Sequence, residues 1–350
     1  MEKDELLAHF CENYVDSKSE EKIVELENYY LKNQEQLALG ILEAFRKICL
    51  KAKTMQAAGA KEKIAYISFS LRRINILNHR YFYVVEAFDE YWFDDPARCA
   101  IDYDVSWAFK FLDEFEADLA ASSKIYLNKI TVFDLERFKL QELPKYHEVL
   151  TQLAKYSFKD LGKLPEFQEL EKELVIEVRV DEYQEFSEVV YKEDHRIKDS
   201  REIKRWLELK EESYRYEILK NLDLSEGDYA ALKLNYGDLS GSNLTKSDLS
   251  EGMFVGTKFQ GCEADEADFH GADLREADFR NASLIRANFV GANLCDACFD
   301  GANLFEADLR EARLGGVTFE GVALDQIITR NDQIESGADE DELDDGDDKA

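Results

Sequence analysis

Proline occurs only three times in these 350 residues, so few positions force a break in a helix or strand. Basic charge is also scarce. Forty-four Lys and Arg face seventy-five Asp and Glu, for a net charge of −31, and the basic footprint of a nucleic-acid binder is missing. Direct contact with nucleic acid is therefore not expected. No run approaches the roughly 20 apolar residues that span a bilayer, and no basic region followed by an apolar run opens the chain. A soluble, cytoplasmic protein without a membrane span is the expectation. Six cysteines are scattered, which excludes a secreted disulfide framework. Cys295 and Cys298 form a Cys-x-x-Cys, but no second ligand pair accompanies them, and a metal or redox role is not expected.

Catalytic signatures are missing as well. The five histidines, His9, His79, His147, His195 and His270, are far apart, and none stands in a zinc-binding spacing. There is no phosphate loop, no dinucleotide fingerprint and no nucleophile elbow. No cofactor, metal or catalytic residue is predicted. Acidic and aromatic residues crowd positions 80–120, where a carboxylate pair would be one among many acids. His79, Tyr91, Trp92 and Trp107 read as structural.

What the chain has instead is a period of five. From Leu224 to Leu324 every fifth residue is bulky and apolar, with Ala264 the only small member. Two places before each, the later repeats carry a small residue, as at Ala267, Ala272, Ala277 and Ala282, and Asp or Asn often lies between. Such a period suits neither a helix nor a strand and points to a solenoid. Residues twenty apart then lie one above another, which places Phe259, Phe279, Phe299 and Phe319 in one ladder and Leu234, Phe254, Leu274, Leu294 and Leu314 in another. Cys262 falls at an inward small position; Cys295 and Cys298 face outward. Glycines such as Gly241, Gly261 and Gly291 follow the central residue by two, at corners expected to exclude bulk.

The stretch Ala267-Asp-Phe-His-Gly-Ala-Asp-Leu-Arg-Glu-Ala-Asp-Phe-Arg-Asn281 resembles the pentapeptide-repeat family, whose motif is Ala-Asp/Asn-Leu-x-x. The resemblance implies a right-handed quadrilateral β-helix with four pentapeptides per coil. At about 4.8 Å per layer, five coils make a rod only about 25 Å long.

The expected organisation has four parts. Residues 1–199 form a helix-rich α+β domain, 200–221 a capping helix and linker, 222–328 the β-helix of about five coils, and 329–350 a disordered acidic tail. Within the first, helices are expected over Ser19 to Lys51, Lys61 to Leu77, Ser106 to Leu119 and Tyr146 to Tyr156. A strand is expected within Arg80 to Phe93, and a hairpin from Val175–Val180 and Phe186–Tyr191. A helix from Ser200, its cap, to Leu219 would cover the first coil with Trp206, Leu207, Tyr214 and Ile218. Ile327 and Ile328 would cover the far end.

These features predict a non-catalytic scaffold that binds a protein partner, one with a basic surface given the acidity. Outward residues Ile285 and Phe305, twenty apart, should stack as a small apolar patch, with Val255 and Val290 also outward. An alternative follows from the resemblance, since some members look like duplex DNA and bind a type II topoisomerase such as DNA gyrase. Asp228, Asp248, Asp268 and Asp308 would supply the acidic row. The large front domain, the short rod and the want of an amphipathic dimerisation helix after Leu324 depart from those DNA mimics. An unrecognised enzyme within 1–199 is a second alternative, and delivery into another cell a further one that the residues do not test.

The register makes one prediction at once. Phe279→Ala should cost about 3–5 kcal/mol through the cavity it leaves, measured by denaturant unfolding. A loss below about 1 kcal/mol would place Phe279 outside the core.

Overall fold

The computed structural model describes residues 3–127, 129–182, 187–210 and 213–329. The chain forms two compact units, Met1–His195 and Arg196–Ala350.

The first unit is a helical layer on a mixed sheet. Helix α1 (Lys3–Phe10) leads through one π-helical turn into the 42-residue α2 (Asp16–Ala57), longer than the Ser19 to Lys51 span its periodicity suggests. Strand β1 (Ile64–Leu71) and the short α3 (Arg73–Leu77) follow, so the helix expected from Lys61 to Leu77 is mostly strand. The reason is visible in Ile-Ala-Tyr-Ile-Ser-Phe-Ser-Leu, where Ile67, Phe69 and Leu71 face the helices while Ser68 and Ser70 are buried on the other side. Ile67-Ser68-Phe69-Ser70-Leu71 alternates strictly, which is the period of a strand and not of a helix.

Strands β2 (Phe82–Phe88) and β3 (Cys99–Asp104) precede α4 (Ser106–Ser123) and α5 (Val132–Ser157). The short α6 (Pro165–Gln168) then leads into β4 (Lys172–Glu182) and β5 (Ser187–Asp194). The sheet order is β3-β2-β1-β4-β5, and only β1 with β4 runs parallel. The expected hairpin is the β4–β5 pair, although Phe186 lies outside the described residues. Helices α2, α4 and α5 pack on one another, and α2 also lies on β2 and β3. Helix α5 starts firmly because Thr131 and Asp134 form a reciprocal capping box.

The loop between β2 and β3 is fastened by the buried Lys61–Asp95 ion pair, with Asp95 also accepting from the backbone of Asp89 and Ala97. That loop turns Tyr91 outward, 65% exposed, and leaves Trp92 half-buried, against the expectation that both belong to the core. Trp107 is half-buried on Tyr29.

The second unit opens with α7 (Ser200–Leu209), capped by Asp199 rather than Ser200 and ended by Lys210 in the left-handed region. The helix therefore stops ten residues short of Leu219. Period five begins there instead: Tyr214 and Leu219 are buried in the solenoid core, and Ile218 already pairs with Asp238. Of the expected caps, Leu207 and Trp206 on α7 cover this end, while Tyr214 and Ile218 belong to the coil itself.

From Ile218 onward, parallel bridges join residues twenty apart, such as Asp223 to Asn243, Asp228 to Asp248, Lys233 to Met253 and Asp238 to Lys258. Four bridge positions per coil make each pentapeptide one side. Phe259, Phe279, Phe299 and Phe319 stack at 4.6, 4.9 and 5.5 Å with nearly parallel rings. Phe269 and Phe289 stack at 4.9 Å and meet the first ladder edge-on. Cys262 is buried, as its inward position requires.

Two expectations fail within the coil, the second only in part. Leu324 does not enter the core; it starts a 3-10 turn and is 37% exposed, because no described coil lies above it to bury it. The expectation that the corner glycines exclude bulk fails at Gly261 and Gly291, where a Cβ would meet nothing within 4 Å, and holds at Gly241, Gly256, Gly271 and Gly301, where it would come within 2.4–2.7 Å of a side chain twenty residues earlier. The corner requires a left-handed φ, which Glu226, Lys246, Arg286 and Glu306 also adopt there at 56–60°. At the small position the demand for space is real. Gly227 and Gly252 make room for the rings of Tyr229 and Phe254, and Ser242 and Ser247 donate to the carbonyls of Leu219 and Leu224.

His147 on α5 supplies a pH prediction. It is buried behind β2, with Nδ1 2.8 Å from the Tyr83 hydroxyl. Burial lowers its pKa, opposed in part by Glu182, Glu148 and Glu188. As pH falls, the unfolded chain binds this proton first. The contribution is complete above the unfolded value of about 6.5 and is lost as pH falls from there toward the folded value. Asp181 acts in the opposite sense, since burial raises its carboxyl and its ionisation costs stability as pH rises. Urea midpoints from about pH 7 down to about pH 5 should fall less steeply for His147→Gln than for the parent. Equal slopes would show that His147 does not titrate with folding.

Candidate interaction surface

The outward side chains of the coil are set by the same arithmetic as its core. Each side presents the residues just before and just after its inward one, and columns of these run along the stack at twenty-residue spacing.

One column reads Thr245, Asp265, Ile285, Phe305. Asp265 accepts from the Ile285 backbone at 3.0 Å and from the Ser283 hydroxyl at 2.6 Å. Above it Ile285 and Phe305 lie on successive coils, linked at the next residue by Arg286 N–H to the Phe305 carbonyl at 2.9 Å. Ile285 is half-buried and Phe305 is 39% exposed. The corner beside them alternates in sign: Glu226, Lys246, Glu266, Arg286, Glu306. Arg286 meets Glu306 at 2.7 Å and Lys246 meets Glu266 at 3.8 Å. The Arg286 guanidinium is held further toward its charged form by Glu306. The apolar pair is thus flanked by charges that largely neutralise each other.

The acidic row also forms, as a run of bridges through Asp228, Asp248, Asp268, Asn288 and Asp308. Its carboxylates are occupied locally. Each accepts the backbone N–H two residues on, at Ala230, Ser250, His270 and Arg310, and Asn288 does the same for Val290. These are Asx turns, which hold the pentapeptide corner. Lys210 pairs with Asp228 at 2.5 Å and Arg310 with Asp308 at 2.6 Å, and these hydrogen bonds hold both carboxyls below the usual range. Asp248 and Asp268 have no ion-pair partner among the described residues. The pattern Asp308-Leu309-Arg310 recurs at Asp273–Arg275 and Asp278–Arg280, so the neutralisation was readable in the sequence.

Val255 and Val290 are half-buried. Cys295 and Cys298 are half-buried on different columns, and the Cys298 thiol lies 3.2 Å from Asp300.

In the first unit, His79, Asp113 and Glu116 converge as a cation site would require. Lys139 fills that position: its ammonium is 3.2 Å from Asp113 and 2.6 Å from Glu116, with the side chain almost fully buried. His79 Nδ1 is 2.9 Å from the Tyr81 hydroxyl, which donates to Asp113. On the sheet's other face Asp181 accepts from the hydroxyls of Ser68 and Ser187. Burial raises that carboxyl, and the hydroxyls, though they favour its charged form, bring no cavity or nucleophile–base pair with them.

Residues 231–263 and 265–301 match the family model for pentapeptide repeats, in eight copies. Among solved structures, the chain is similar to QnrB1, a plasmid-mediated fluoroquinolone resistance protein, in a trypsin-treated form. That match is 22% identical over 31% of this chain and 60% of QnrB1, with a TM-score of 0.23. HetL from Nostoc sp. strain PCC 7120, involved in heterocyst differentiation regulation, is 27% identical over 36% of this chain and 62% of its own (TM-score 0.20). Rfr23 from Cyanothece 51142 is 30% identical over 33% and 86% (TM-score 0.17). The chain thus spans about 60% of the length of the first two. A comparison with curated proteins returned no match.

If the Asp248 carboxylate serves the turn, Asp248→Asn should keep stability while Asp248→Ala loses about 0.5–1.5 kcal/mol. Denaturant titration decides; equal losses would mean that the charge, not the acceptor, matters.

Proposed function

We propose, for a chain that belongs through its repeats to the pentapeptide-repeat family, a non-catalytic role in binding a protein partner through the rod. The observation that carries this reading is the Ile285–Phe305 pair. Phe305 is 39% exposed while Phe254, Phe259, Phe269, Phe279, Phe289 and Phe299 are buried, and it shares a column with Ile285 beside a ladder of paired charges. An apolar centre with a polar, internally neutralised rim is the anatomy of a protein interface. A rod built from stacked coils presents such a centre without ordering cost at binding. The partner's complementary surface is apolar at its centre and, against a chain of net charge −31, basic at its rim.

A second reading has the acidic row standing in for duplex phosphates before a type II topoisomerase. Asp248 and Asp268 favour it; the pairing of Asp228 with Lys210 and of Asp308 with Arg310 halves the row's charge and weighs against it. Capture from lysate of the native host separates the two. Phe305→Asp should release the partner while the Asp248→Asn, Asp268→Asn pair retains it. Partner loss only in the aspartate pair, with the captured protein a topoisomerase subunit, would overturn the first reading in favour of the second.

A further inference from the structure

Among the described residues, the most concentrated apolar exposure lies in the first unit, on the connection from α4 to α5 and the first turn of α5. Ile125 is 65% exposed, Leu127 83%, Val132 65% and Phe133 79%. No other span of nine positions exposes more than two large hydrophobic side chains among the described residues. Scattered exposed leucines need no explanation, but a cluster does.

The cluster is held out by design of the backbone around it. Tyr126 and Ile130, on the same connection, are buried, and the Tyr126 ring meets Phe10 edge-on at 5.4 Å and bonds His9 at 2.8 Å. Lys129 N–H closes a turn on the Tyr126 carbonyl at 3.0 Å. At the start of α5 the Thr131–Asp134 capping box is tied to α1 by Lys3 at 3.2 Å. Between these fastenings Leu127 takes a left-handed φ of 52°, a conformation that costs a leucine energy where Gly or Asn would cost less. A bulky residue in that place, facing water, serves neither the turn nor the core.

Charge supplies the second observation. From Leu119 to Phe133 the chain has no Asp or Glu, although these make up seventy-five of its 350 residues. Lys124 and Lys129, both exposed, bracket Ile125 and Leu127, and Val132 and Phe133 follow Lys129 within four residues. A group of exposed aliphatic and aromatic side chains interspersed with two flexible cations fits an anionic lipid surface, where the apolar tips enter the headgroup and acyl boundary and the ammonium groups meet phosphates. A protein groove would call for a rim of directional hydrogen bonds, and two lysines on long stems do not provide one. The acidity of the rest of the molecule opposes approach only within a Debye length of about 8 Å at physiological salt.

We infer that the α4–α5 connection is a shallow anchor for anionic bilayers, with Ile125, Leu127, Val132 and Phe133 inserting and Lys124 and Lys129 pairing with lipid phosphates. The anchor is independent of the rod's partner site, and it requires no membrane-spanning helix, of which the described residues contain none.

Sedimentation of the full-length chain with phosphatidylcholine vesicles, with and without phosphatidylglycerol, tests it. The parent should bind the anionic vesicles and release them at high salt. Leu127→Ser with Phe133→Ser, and separately Lys124→Glu with Lys129→Glu, should each weaken binding by about tenfold or more. All four positions are exposed, so an unchanged thermal midpoint will certify the fold of each variant. Failure of the parent to bind overturns the inference. So does binding lost with the lysines but kept without the apolar tips, which would be surface charge alone. Vesicles ignored while the Leu127→Ser, Phe133→Ser pair loses a protein from lysate would assign the tips to a protein groove instead.

Discussion

The rod depends on one constraint: every residue of a coil must find its partner twenty positions on. Backbone bridges supply half of that match and the inward side chains the other half. A coil alone buries nothing, so its phenylalanines gain their stabilisation only from the rings above and below. Phe259, Phe279 and Phe299 satisfy this at spacings of 4.6 and 4.9 Å, and the spacing loosens to 5.5 Å at Phe319, which is half-exposed. The same match fixes the outer columns. Ile285 and Phe305 fall in one column, as Phe279 and Phe299 do.

That dependence explains what could be read from residues alone. The inward ladders, the small positions and the common column of Ile285 and Phe305 all follow from counting by twenty, because the period leaves each residue one direction to face. Where the period is carried by less typical residues, the reading stops early: Tyr214 and Leu219 keep the spacing, yet the helix-like run around Trp206 hides it. At Leu324 the spacing persists but no coil follows among the described residues, and periodicity alone does not reveal which residues have a neighbour. At the corner glycines a left-handed φ is the shared demand, and volume adds to it where a side chain of the preceding coil approaches, as at Gly241 and Gly271.

The first unit was less legible for a physical reason. Its central strand β1 alternates from Ile67 to Leu71, but Ile64, Ile67, Leu71 and Ile74 also stand three and four apart, so the same residues fit a helical period. Helix α2 was found from its stripe, but its ends ran past the last clear apolar residue. The exposure of Ile125, Leu127, Val132 and Phe133 depends on which neighbours Tyr126 and Ile130 meet in three dimensions, and composition does not carry that. Neutralisation of Asp308 by Arg310 was within reach, since the two stand two residues apart on one side of a coil.

Amide hydrogen exchange on the intact protein tests the stacking claim most directly. If each coil is held by its neighbours, the N–H groups of Leu244, Leu249, Phe259, Phe269, Phe279 and Leu294 should exchange slowly as one set, with protection falling toward the last coil. Exchange at these positions as fast as at the exposed corners would contradict it, and with it the fixed columns on which both readings of the surface rest.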